Sequence, residues 1–283
     1  MTAVITGVGA VSAFGLGQPA LLDGLAAGRS AIGRIAAFDA RSFPVRVAGE
    51  VPVARVDAAW LGAALAGPGG GDRGDDAGAL AAELGAAGAL RDRKIAWGLV
   101  AAREAWADAG CGAGERGAAL VLALGLEQAF LEDFGGRYAA GHIAWDAAPG
   151  PGVRFRSPVD LTARAVHRLL GLRGPITVNA SACAAGALAV AHAASLIERG
   201  AEDVVVCGAA DSMVNPLGLG GMCRLGAPSP RDELDACRPF DRRRDGLVIG
   251  EGAAVFVVER ADRARARGAR VRARVVGWGS SQD

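Results

Sequence analysis

Little in this sequence could staple the chain, anchor it or load it with metal. Its five cysteines include no CxxC pair and are odd in number, and none stands at ligand spacing from the three histidines. That excludes a disulfide framework and a Cys/His metal site, and the expectation is no metal and free thiols in a reducing, cytoplasmic compartment. No apolar run approaches the roughly 18 residues of a membrane helix. Met1 leads straight into a β-type run, with no charged region followed by an apolar one as in a signal peptide. A soluble protein that is not exported is expected. Aromatic residues make up 5% of the chain, so alanine, valine and leucine must build the core. Lys94 is the only lysine, and 31 basic side chains against 30 acidic ones leave a net charge of +1. Nothing in that balance directs the chain to nucleic acid or to a membrane surface.

What is there reads as strands alternating with helices. Residues 2–17 form a buried strand running into a glycine-rich loop. Gly7 and Gly9 begin a GxGxxG pattern, but Ser12 stands where its last glycine belongs and the next helix is delayed to about Pro19–Ala27. A dinucleotide site is therefore poorly supported. Residues 35–60 are irregular, with extended pieces around Val45–Val53. Residues 66–88 are rich in glycine and predict a mobile surface insertion. Ile95, Leu99, Ala102 and Trp106 then share one helical stripe, closed by Gly110 and Gly112. Ala118–Leu124 is fully apolar, as suits a central strand covered on both faces. A helix is expected over about Glu127–Tyr138 and another after Asp160, which reads as its cap. His167 lies on that second helix, where a satisfied or solvent-facing histidine is expected rather than a ligand. Further strands are expected at Asp203–Cys207, after the charged turn CRPFDRRRDG, and after the helix ERADRARARGA. The fold class is α/β, with helices on both faces of one mixed sheet.

The sharpest feature is ITVNASACAAG, in which a β-branched apolar run meets a cluster of small residues and then an alanine-rich amphipathic segment. Strand, tight turn and helix follow one another, and Cys183 sits in the turn. Small residues leave room for an abrupt reversal that presents a single side chain. If a helix begins near Ala184, its unpaired N–H groups and positive dipole end favour a thiolate at Cys183, the form that attacks carbonyl carbon. A buried structural cysteine is the competing reading, since free cysteines commonly end in alanine-rich cores. Cys183 taken alone leaves both open.

Five separated pieces, in order, carry a resemblance. VITGVGAVSAFG, NASACAAG, VVVCGAAD, NPLGLGG and CRPFDRRRDGLVIGEGAAV together resemble the N-terminal half of the beta-ketoacyl-[acyl-carrier-protein] synthases, condensing enzymes of fatty-acid and polyketide synthesis. The resemblance implies a thiolase-like fold: the N-terminal half of an αβαβα architecture, with a five-stranded type of mixed sheet spanning residues 1–283. It implies an acyltransferase in which Cys183 takes an acyl group from acyl carrier protein for condensation with malonyl carrier protein, needing no cofactor beyond the carrier's phosphopantetheine. Met222 and Leu126 line up with the family's acyl pocket, Met222 where a bulky apolar residue lies beside the bound chain and Leu126 after the glycine that ends a central strand near the dimer contact.

The family's catalytic histidines belong to a C-terminal half, and His142, His167 and His192 do not stand in matching contexts. A truncated or partner-dependent ketosynthase is therefore expected. It would be a homodimer or a heterodimer with a ketosynthase-type subunit, and adhesive or poorly stable if alone. Two alternatives are a non-catalytic partner like the chain-length factors and a cysteine-dependent thioester hydrolase, the latter needing a histidine beside the thiol. The arginines of 260–274 and the run Arg242, Arg243, Arg244 are weak candidates for docking an acidic carrier.

Overall fold

The computed structural model describes residues 1–66, 74–125, 138–139, 142–143 and 158–281, and the ranges below refer to these. In chain order, β1 (Ala3–Ser12), β2 (Gly15–Leu16), α1 (Gly17–Ala26), β3 (Gly33–Arg34) and β4 (Val47–Ala48) come first. Next are α2 (Ala58–Ala66), α3 (Gly74–Ala86), α4 (Arg93–Asp108), β5 (Ala119–Leu124), β6 (Tyr138–Ala139), β7 (His142–Ile143) and α5 (Leu161–Leu169). The remainder is β8 (Ile176–Asn179), α6 (Ala185–Glu198), β9 (Val204–Ser212), α7 (Pro216–Arg224), β10 (Glu251–Arg260), α8 (Ala261–Ala266) and β11 (Ala273–Arg274).

One sheet organises the chain, in the order β11-β1-β10-β9-β5-β8, with β2 added beside β1. It has seven strands, because the two-residue β2 and β11 extend the five longer ones. β5 runs parallel to β8 and β9, whereas β10 is antiparallel to both β9 and β1, so the sheet is mixed. The expected central strand is β5, whose six residues are all buried. Apolar side chains of α2, α3, α4 and α5 pack with Leu120, Leu122, Val206 and Val255 on one face. On the other face α6 lays Ala185, Ala189, Ala193 and Ile197 over Val121, Ala123, Val205 and Cys207. Burying a leucine or valine side chain contributes about 1.5–3 kcal/mol, so these two layers supply the main drive to fold.

Three expectations need correction. First, β1 does not give way to a loop at its glycines but runs on to Ser12. A Cβ on Gly9 would lie 1.9 Å from the Ala101 carbonyl oxygen, and one on Gly7 would lie 2.1 Å from that of Ala105. These glycines let α4 lie close against the strand. Glu104 and Asp108 of α4 then take strand N–H groups: Ala10 donates to Glu104 Oε2 at 2.8 Å and Val8 to Asp108 Oδ2 at 2.9 Å. Second, Gly74–Ala86 of the presumed mobile insertion is helix α3, with Ala77, Leu80, Ala81 and Leu84 buried at helical spacing. Third, Asp160 occupies the position before α5 but makes no capping bond; its carboxylate pairs with Arg164 at 3.0 Å. The helix expected at Glu127–Tyr138 lies outside the described residues except for the last of them. No described helix is long and apolar enough to cross a membrane.

The arginines of the C-terminal segment are largely engaged inside the chain. Arg260 pairs with Asp203 and Asp262, Arg263 with Asp203 and Glu115, and Arg272 with Asp108. Arg267 reaches the fully buried Glu259, which Thr6 also contacts, and donates to the Ala109 carbonyl at 2.8 Å. These contacts fasten the segment after β10 to the end of α4.

Candidate active site

The five cysteines separate by environment. Cys207 is fully buried in β9, and burial pushes its thiol up to about 12. Cys111 is buried beside Glu259, and desolvation first, then that carboxylate, pushes its thiol up to about 12. Cys223 is half-buried and also shifted upward by desolvation. A protonated thiol is a poor nucleophile, so these three are chemically quiet near neutral pH. Cys183 and Cys237 are exposed.

Of these two, only Cys183 stands where strand meets helix. β8 ends at Asn179, Ala182–Ala184 form a single 3-10 turn, and α6 begins at Ala185. The turn is abrupt enough to hold Ala182 at φ 50°, in the left-handed region that side chains disfavour. Ala185 N–H bonds back to the Ala182 carbonyl, and the first N–H groups of a helix have no partner within it. Gly186 lets the helix begin close over β9, since a Cβ there would lie 3.3 Å from that of Ala209. Every residue from Ala180 to Ala184 is exposed, so the sulfur is reachable from solvent. Cys183 is therefore not the buried structural cysteine of the competing reading; the buried ones are Cys111 and Cys207.

One side chain in this region escaped the sequence reading. Asn179, half-buried at the end of β8, accepts from Ser181 N–H at 3.0 Å and from Ser181 Oγ–H at 2.6 Å, and its amide donates to the Ala185 carbonyl at 3.2 Å. Its signal was present as a lone amide in an apolar strand immediately before the small-residue turn.

The described histidines do not gather at the sulfur. His167 sits on α5, across the sheet from α6, with Nε2 3.0 Å from the Gly174 carbonyl oxygen. His192 is exposed on α6, more than two turns beyond Cys183. His142 lies in β7, whose side chains are outside the described set, and Leu126 is outside the described residues altogether. Met222 packs half-buried in a separate small cluster with Val214, Leu219 and Ile249. Among the described residues no group of three His, Cys, Asp or Glu side chains could hold a metal ion.

Comparison with known proteins decides the family. Residues 81–264, which contain the turn and the strands around it, match the family described as Beta-ketoacyl synthase, N-terminal domain. The chain belongs to the beta-ketoacyl synthases. Across 293 residues the chain is 35% identical to the tetracenomycin polyketide synthase ketoacyl synthase alpha subunit of Streptomyces glaucescens, covering 99% of this chain and 62% of that protein. It is 32% identical over 297 residues to 3-oxoacyl-[acyl-carrier-protein] synthase 2 of Coxiella burnetii, covering 99% of this chain and 63% of that one. A solved beta-ketoacyl synthase from Burkholderia phymatum STM815 superposes with TM-score 0.71 at 29% identity, over 98% of this chain and 63% of the other. The fold is thus α/β and thiolase-like. The chain spans a little under two thirds of the length of these relatives.

Proposed function

We propose that this chain carries the acyl-accepting site of a condensing enzyme of the 3-oxoacyl-[acyl-carrier-protein] synthase type, with Cys183 as the nucleophile. The observation that carries the reading is the position of Cys183: exposed, on a strained strand-to-helix turn, at the N-terminal end of a 14-residue helix.

The chemistry follows from that placement. The Cys183 sulfur attacks the carbonyl carbon of an acyl group held as a thioester on the phosphopantetheine of acyl carrier protein. A tetrahedral oxyanion forms, and N–H groups of the turn, that of Cys183 among them, donate to it. The bond from carbon to the carrier sulfur then breaks. The carrier leaves as a thiol, carrying the equivalent of the proton that Cys183 gave up, and the acyl group remains on Cys183. Splitting a condensation in this way replaces one difficult step by two easier ones. In the second, malonyl carrier protein loses carbon dioxide, and its carbanion displaces Cys183 from the acyl carbon to give a 3-ketoacyl thioester. That step calls for groups that polarise the malonyl thioester. Neither His167 nor His192 is placed to act on it, so we assign those groups to the C-terminal half that the family resemblance implies or to a ketosynthase-type partner subunit. Met222 and Leu126 remain proposed contacts for the acyl chain.

Release of carrier thiol, followed with a thiol-reactive dye, tests the reading. With a medium-chain acyl carrier thioester and no malonyl substrate, release is expected to stop after about one equivalent per chain, as an acyl-enzyme accumulates. Sustained release would identify a thioester hydrolase, and no release would remove Cys183 from the role of acyl acceptor.

A further inference from the structure

Ala182 takes an unfavourable backbone conformation immediately before the nucleophile, and something must hold it there. A non-glycine residue in the left-handed region costs about 1–2 kcal/mol. No apolar packing offsets that cost locally, because Ala180, Ser181, Ala182, Cys183 and Ala184 are all exposed. From Val178 to Leu188, the only polar side chains besides Cys183 are Asn179 and Ser181.

Asn179 spans the turn. Its carbonyl oxygen Oδ1 receives two bonds from Ser181, at 3.0 Å from the backbone N–H and 2.6 Å from the hydroxyl, on the strand side of Cys183. Its Nδ2 donates to the Ala185 carbonyl at 3.2 Å, on the helix side. The two partners fix which way the amide faces, because a backbone N–H only donates and a carbonyl only accepts. Cys183 lies between the two gripped residues. Aspartate could reproduce the acceptor arm but not the donor arm, and alanine reproduces neither.

We propose that Asn179 is a positioning residue for Cys183: its side-chain amide clasps Ser181 and Ala185, holds Ala182 in the left-handed conformation, and thereby sets the direction of the Cys183 sulfur and N–H. This rests on the reading of Cys183 as the acyl acceptor. Because oxyanion stabilisation and attack depend on alignment, a displacement of about 1 Å can cost on the order of 100-fold in rate.

The test compares the wild-type chain with Asn179→Ala, Ser181→Ala and the double variant Asn179→Ala/Ala182→Gly. Acyl transfer from carrier thioester is measured as a maximal rate and a half-saturating concentration. Alkylation of Cys183 by iodoacetamide is measured across pH by peptide mass spectrometry, with the exposed Cys237 as internal control, and thermal melting is recorded for each variant. Asn179→Ala is expected to lower the maximal acyl-transfer rate roughly 10- to 100-fold with the half-saturating concentration unchanged. It should also change the pH profile of Cys183 alkylation and leave Cys237 unaffected. Ser181→Ala keeps the backbone bond to Oδ1 and should lose less. Glycine adopts φ near +50° without a Cβ conflict, so the double variant should regain most of the lost rate. Wild-type rates and pH profile in Asn179→Ala would overturn the proposal. So would losses at Cys183 and Cys237 in parallel with a lowered melting temperature. If the wild-type chain accepts no acyl group, the proposed function fails, and alkylation at Cys183 against Cys237 still decides whether Asn179 positions the sulfur.

Discussion

Replacing Cys183 with alanine should remove acyl acceptance altogether, lowering carrier-thiol release to the uncatalysed rate. Loss of a covalent nucleophile commonly costs more than about 10³-fold, because the groups around it have nothing left to activate. No other cysteine can take its place. Cys111 and Cys207 are enclosed, with thiols pushed up to about 12, and Cys223 is half-buried and shifted the same way. Cys237 is exposed, but it lies in the loop between α7 and β10 and has no helix N-terminus behind it. Cys183→Ser is the sharper variant, since it keeps the shape of the turn and changes only the nucleophilic atom. A hydroxyl with no adjacent base is a weak nucleophile, so this variant should be nearly as inactive while melting like the parent chain. Undiminished release from either variant would show that the acyl group goes elsewhere.

Replacing Glu251 with alanine should cost about 3–5 kcal/mol of stability, the scale for breaking a buried charge cluster by removing one partner. The Glu251 side chain is fully enclosed and accepts from four directions. Arg93 Nη2 lies 2.8 Å away, Trp97 Nε1 3.1 Å, the Ser212 hydroxyl 2.6 Å and Val51 N–H 2.9 Å. One carboxylate therefore joins β10, β9, α4 and the segment after β4. Without it Arg93 keeps, among the described residues, only Glu50 as its acidic partner, at 3.1 Å, and the Trp97 and Ser212 donors are left in an apolar setting. Urea unfolding followed by tryptophan fluorescence reads the loss directly, since Trp97 is part of the cluster. An unchanged unfolding midpoint would mean that this cluster does not tie the layers together.

How far the sequence disclosed this arrangement depends on what kind of signal each part left. β5 was legible because a strand buried on both faces must be apolar throughout. α4 was legible because its stripe of Ile95, Leu99, Ala102 and Trp106 has helical period, and all four are buried. The Cys183 turn was legible because only small residues can pass through it. α3 was misread because Gly74, Gly78 and Gly85 argued for a loop more strongly than four apolar residues argued for a helix. Packing reverses that balance: a Cβ on Gly85 would lie 2.8 Å from that of Ala58, so this glycine lets α2 and α3 approach closely. Gly7 and Gly9 misled in the same way, because close approach between strand and helix leaves the same mark on a sequence as a turn does. Asn179 went unread because its role depends on which carbonyl and which N–H the turn brings to it. Spacing along the chain does not contain that information.

The central claim is that Cys183 receives the acyl group. Incubation with an acyl carrier thioester, followed by proteolysis and mass spectrometry of the peptides containing each cysteine, tests it most directly. The expected result is one acyl mass increment on the peptide carrying Cys183, removed by neutral hydroxylamine as a thioester must be, with the peptides of Cys111, Cys207, Cys223 and Cys237 unmodified. Acyl mass on the Cys237 peptide instead, or on no cysteine peptide at all, would contradict it.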